Sequence, residues 1–137
     1  MKKILGLFVI AFMFILTGCL ESSYSASSLK SNLESNGYTV DTNPVIANLD
    51  KSKFDGLESI IYAYNKDSGI LFFVFDKIEN ASKLTAGSTM SDDVAMVVRW
   101  GESHAKDNNS EFGTANNVFY AGDKDARKAS GIKLASD

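Results

Sequence analysis

The chain has 137 residues, with 17 Asp and Glu against 14 Lys and Arg and a formal net charge of −3. That length is one domain's worth of chain, and the acidic balance excludes nucleic acid as the expected partner and a polybasic grip on anionic lipid. A single cysteine excludes an internal disulfide and a single histidine excludes multi-histidine or thiolate metal sites, so no metal and no cofactor are expected and the fold must stand on an apolar core.

Lys2 and Lys3 precede an unbroken apolar run over residues 4–16, after which the chain reads Leu16-Thr17-Gly18-Cys19. The lysines hold the N-terminus on the cytoplasmic side, and the run is long enough to enter an export machinery but short for a stable span. Residues 1–19 resemble a bacterial lipoprotein signal peptide closed by a lipobox. The resemblance implies diacylglycerol transfer to the Cys19 sulfur, cleavage between Gly18 and Cys19, and acylation of the new amine, for instance by palmitate; the two acyl chains of the diacylglycerol already anchor durably where one does not. Two other readings stand beside it: an uncleaved helix over residues 4–20, and an ordinary signal peptide followed by an unmodified thiol. The position of the motif directly behind the apolar run favours the lipobox. Loss of Lys2 and Lys3 with the leader takes the net charge from −3 to −5, so membrane attachment is expected from the lipid and not from the domain's field. The expected organisation is a signal peptide over 1–18, a lipidated serine-rich tether over 19–28 and one small α+β domain over 29–137. The expected location is the extracytoplasmic face of the cell membrane, or the outer membrane in a cell that has one.

The tether reaches on the order of 28 Å when extended. Residues 28–37 then read as a short amphipathic helix, with Ser28 at its start, Leu29 and Leu33 one turn apart, and Asn36-Gly37 as a left-handed stop. A brief strand follows over 38–41. Residues 58–64 and 70–75 are runs of β-branched and aromatic residues joined by Asn65-Lys66-Asp67-Ser68-Gly69, an antiparallel hairpin. The second run is apolar on both faces, which predicts a central strand covered on both sides. Residues 76–84 carry a capping-box pattern and read as a helix. The alternation of Val94, Met96, Val98 and Trp100 predicts a strand over 94–100, and a long polar loop is expected over 101–117. Residues 118–121 form another strand, Asp123 caps a last helix that ends at Gly131, and 132–137 is a tail.

A shift of 45 residues lays Phe73-Val74-Phe75 on Val118-Phe119-Tyr120, each before a helix. Together these elements predict an α+β fold: an antiparallel sheet of four to five strands with two or three short helices on one face, and a strand-strand-helix recurrence.

No catalytic constellation assembles. Gly101-Glu102-Ser103-His104-Ala105 lacks the last glycine of a nucleophile elbow and falls outside a strand-turn-helix context. Asp107-Asn108-Asn109-Ser110-Glu111 spaces oxygen donors as calcium loops do, but Phe112 and Val118 stand where the turn glycine and bidentate glutamate belong. Adjacent Asp92 and Asp93 face opposite ways on an extended chain. Arg99, Trp100 and His104, at the start of the expected loop, are the candidate partner contacts, because a tryptophan beside an arginine anchors partners well. Against that, Trp100 continues the apolar alternation and is expected in the core. The chain therefore reads as a non-enzymatic, membrane-anchored binding or accessory module for an envelope protein, a wall component or a small ligand. The alternative is a carboxylate-dependent envelope hydrolase, which needs two of Glu58, Asp76, Asp92, Asp93, Glu102 and Glu111 to converge in one cleft.

Overall fold

The structure, a computed structural model, describes residues 23–46, 49–86 and 91–137. In chain order these form α1 (Ala26–Ser35), β1 (Thr39–Asp41), a 3-10 turn (Lys51–Lys53), β2 (Leu57–Tyr64), β3 (Gly69–Phe75), α2 (Ile78–Ser82), α3 (Asp92–His104), β4 (Ser110–Ala115), β5 (Val118–Asp123) and α4 (Lys124–Ala129). The sheet runs β1-β2-β3-β5-β4, and each neighbouring pair is antiparallel. The α+β class and the antiparallel sheet agree with the sequence. The expected signal peptide, with Gly18 and Cys19, lies outside the described residues. Among those residues no helix is long and apolar enough to cross a membrane.

The two central strands, β3 and β5, are buried at every position, as the two-sided apolar run of β3 predicts. Alternation along them feeds two cores. Ile70, Phe72, Val74, Val118 and Tyr120 meet Leu29 and Leu33 of α1 and Ala126 of α4 on one face. Leu71, Phe73, Phe75, Phe119 and Ala121 meet Phe54, Ala81 of α2, and Val94, Val97 and Val98 of α3 on the other. The helices thus divide between the two faces, a correction to the one-sided arrangement. A single layer would have left one aromatic row of β3 in water, and each such side chain gains about 1.5–3 kcal/mol by burial. The division also limits the 45-residue echo. Strand, strand, helix does recur, but the shift exchanges faces: Phe73 sits in one core and its counterpart Val118 in the other.

Four further sequence expectations are corrected. Residues 94–100 belong to a helix, not a strand: the same stretch also places Val94, Val97, Val98 and Gly101 at helical spacing, all buried. Ser91 decides between the two periods, accepting a hydrogen bond from the Val94 amide at 3.3 Å, with Asp92 and Asp93 in the positive first turn. The long loop over 101–117 is also replaced. It holds the end of α3, a short turn, and β4, an edge strand only half-buried and so weakly patterned. Nor is 132–137 a loose tail: Ile132 is fully buried and Asp137 pairs with Arg127. At the other end, the fold begins earlier than residue 29. Ser25 caps α1, and Tyr24 is tied to Asn117.

Candidate functional site

On β2, Tyr62 and Tyr64 lie two apart and so share a face; on α3, Trp100 and His104 lie one turn apart. The fold brings the four rings together. Tyr62 and Tyr64 stack with centroids 4.8 Å apart, Trp100 and His104 stack at 3.8 Å, and Trp100 meets Tyr62 edge to face at 4.8 Å. Gly101 makes this approach possible. A Cβ there would lie 2.5 Å from the Ala121 carbonyl carbon, so α3 rests directly on the β5 backbone and delivers Trp100 and His104 beside β2. Trp100 is accordingly half-buried against the core, between the two sequence expectations of core and contact residue.

Beside the rings is an open recess of about 260 Å³, lined by Tyr62, Asn65, Asp67, Ser68, Ser103 and His104 among others. Asn65 shapes its floor, its Oδ1 accepting from the backbone amides of Asp67 at 3.0 Å and Ser68 at 2.9 Å. His104 Nδ1 lies 2.8 Å from the Trp100 carbonyl, which assigns the proton to Nδ1 and leaves Nε2 as an acceptor. Ser103 Oγ donates to the same carbonyl at 2.7 Å and lies 3.0 Å from Nδ1. A nitrogen already acting as donor cannot take the serine proton, so this pair is not a nucleophile and its base. Burial, and then the neighbouring Tyr64, push the Tyr62 hydroxyl above its ordinary value, so it remains a neutral phenol.

Of the sequence candidates, Trp100 and His104 come together, whereas Arg99 is exposed on α3 outside the ring cluster. The acidic candidates mostly scatter. Asp93 pairs with Lys53 at 3.3 Å, and Glu111 pairs with Arg127. Glu58 and Asp76 do share a recess of about 340 Å³ with Asn117, at the opposite end of the sheet. The calcium-like stretch does not close on itself, because Asn109 donates to Asp123 at 2.8 Å while Glu111 turns to Arg127. Among the described residues no group of three or more His, Cys, Asp or Glu is placed to hold a metal ion.

The sequence reading missed Tyr62 and Tyr64 as site residues because it assigned the aromatic hairpin to the core; their i, i+2 spacing at the hairpin's end was the available signal. It also missed Arg127. This guanidinium is fully buried, donates to both Asp137 oxygens at 2.6 and 2.7 Å and to the Ile132 carbonyl at 2.9 Å, and is paired with Glu111. The hydrogen bonds to Arg127 hold the Asp137 carboxyl well below the usual carboxylate range, and Asp137 in turn raises Arg127. Nothing local in residues 123–137 marks that arginine as buried. Comparison of the chain with protein-family models, with curated proteins and with solved structures returned no match.

Proposed function

We propose that this chain is a bacterial lipoprotein, cleaved behind Gly18 and lipidated at Cys19, that acts on the extracytoplasmic face of the cell membrane as a non-catalytic binding or accessory module. The lipobox pattern supports the address. The observation that carries the binding role is the separation of the two ends of the sheet. The Tyr24 amide donates to Asn117 Oδ1 at 2.7 Å, and Asn117 Nδ2 donates to the Tyr24 carbonyl at 2.9 Å and to the Phe75 carbonyl at 2.9 Å. The chain therefore enters the fold where β3 ends. Residues 19–24 would then bridge lipid and domain over at most about 22 Å. The four rings stand at the other end of β2, roughly 20 Å further along the strand, where they would face away from the bilayer.

Palmitate labelling tests the address: the intact chain should incorporate label and Cys19→Ala should not, and equal labelling of the two would remove it. Retention on delipidated cell envelopes, from which protein has also been stripped, tests the role. Tyr64→Ala should lose retention while keeping its circular dichroism, and unchanged retention would take binding away from the ring cluster.

The hydrolase reading has one observation in its favour, the shared recess of Glu58 and Asp76. Both residues are exposed, and Asp76 already accepts from Asn80 at 2.7 Å, unlike the buried acid such chemistry uses. Release of reducing ends from wall glycan by the intact chain, abolished in Glu58→Gln, would favour it over the binding module.

A further inference from the structure

Resting on the binding-module reading, we infer that the recess beside Tyr62, Tyr64 and His104 takes a neutral sugar residue of an envelope glycan. A pyranose has two unlike surfaces: a face of slightly positive C–H groups, which packs on the negative face of an aromatic ring, and a rim of hydroxyls that donate and accept in the ring plane. This end of the domain offers both. Tyr64 is stacked on Tyr62 and is still 38% exposed, so part of the stacked pair is open to a ligand. Next to it the recess is walled by amide, hydroxyl, carboxylate and imidazole groups: Asn65, Ser68, Ser103, Asp67 and His104. The hydrogen bonds within the wall already commit Asn65 Oδ1 and His104 Nδ1. They leave Asn65 Nδ2 to donate, and His104 Nε2 and the Asp67 carboxylate to accept, a mixture suited to hydroxyls that do both.

Other ligand classes fit less well. An anion would meet one lysine, Lys66, beside the opposing charge of Asp67, in a chain whose net charge is already negative. A quaternary ammonium needs rings spread around an empty box. Here they are closed on each other in pairs, with 28° between the planes of Tyr62 and Tyr64 and 15° between those of Trp100 and His104. An apolar peptide would leave Asn65 Nδ2, His104 Nε2 and the Asp67 carboxylate unpaired. The volume, about 260 Å³, is below the roughly 300 Å³ at which pockets for drug-sized ligands begin. That suits one sugar ring, with the glycan continuing over the open side.

Trp100 is the chain's one tryptophan and belongs to the cluster, so its emission reports on the site directly. The full chain, in a detergent without a sugar headgroup, is titrated with N-acetylchitotetraose and cellotetraose, and in parallel with choline, inorganic phosphate and a leucine-rich peptide. A saturable emission change with one of the oligosaccharides is expected, with a Kd in roughly the millimolar range. Tyr64→Ala should weaken it about tenfold by removing one ring of the stack. Asp67→Asn, on an exposed turn, should weaken it with the stack intact, and it carries the test if Tyr64→Ala melts early. Silence from both oligosaccharides up to about 20 mM overturns the sugar assignment, as does a response unchanged in both variants. A Tyr64-dependent response to choline or to the peptide instead also overturns it, while leaving the binding-module reading in place. Loss of envelope retention in Tyr64→Ala, measured separately, decides that broader reading.

Discussion

Arg127 and Trp100 are both large side chains carried in by helices, and they lie on opposite faces of one sheet. Arg127 is sealed: no part of it is exposed, each of its three guanidinium nitrogens donates to an oxygen, and its guanidinium carbon lies 6.0 Å from the Tyr120 ring centroid. Trp100 is partly buried and leans on other rings whose polar neighbours face an open recess. The difference separates structure from use. A buried charge with a full set of partners fixes one arrangement of the chain, here the packing of residues 132–137 against β4 and α4. Partly exposed rings beside an open polar rim are a surface that a ligand can still complete.

That contrast can be broken at either end. The largest effect is expected for Arg127→Ala, which strands Glu111 and Asp137 and should destabilise the domain by about 3–5 kcal/mol in urea unfolding. A change below about 1 kcal/mol would mean that the ion cluster is not a lock. Gly101→Ala should follow at about 1–3 kcal/mol, because its Cβ meets the β5 backbone and not a movable side chain. As α3 must move away, Trp100 emission should shift in the same variant; a stability loss without that shift would separate Gly101 from the ring cluster.

Acid should weaken the sealed end. The folded-state pKa of Asp137 is depressed by Arg127, so its contribution is fully present above the unfolded value of about 3.9 and is lost as pH falls through and below it. Arg127 is raised and stays charged, which predicts no matching loss on the alkaline side. The urea midpoint should drop between about pH 5 and pH 2, and Asp137→Asn should flatten that slope. Ser91→Ala, which removes the N-cap of α3, should cost about 1 kcal/mol. A change of about 1 kcal/mol, comparable to Ser91→Ala and well below Arg127→Ala, is expected for Tyr64→Ala, alongside the largest change in binding. A destabilisation as large as that of Arg127→Ala would place Tyr64 in the structural class and remove the contrast.

Much of the fold was legible wherever the signal lies within a few residues. The aromatic runs joined by Asn65-Lys66-Asp67-Ser68-Gly69 became β2 and β3, with Tyr64 paired to Gly69, and Asp123 and Gly131 bound the last helix as their residue types predict. The failures came where two periods coincide or the pattern is faint. Val94-Ala95-Met96-Val97-Val98 satisfies alternation and helical spacing at once, and the cap at Ser91 was the tie-breaker. β4 carries little apolar signal because it is an edge, with Phe112 44% exposed.

Charge, the leader-like pattern, the single thiol and the central hairpin are properties of the sequence alone, since each depends on composition or on neighbours a few residues away. Which face a helix takes, that Arg127 is sealed, and that Tyr62, Tyr64, Trp100 and His104 meet were decided only in three dimensions. These outcomes depend on surfaces far apart in the chain coming together, and the energy that selects them, burial on both sides of β3 and β5, belongs to no single stretch.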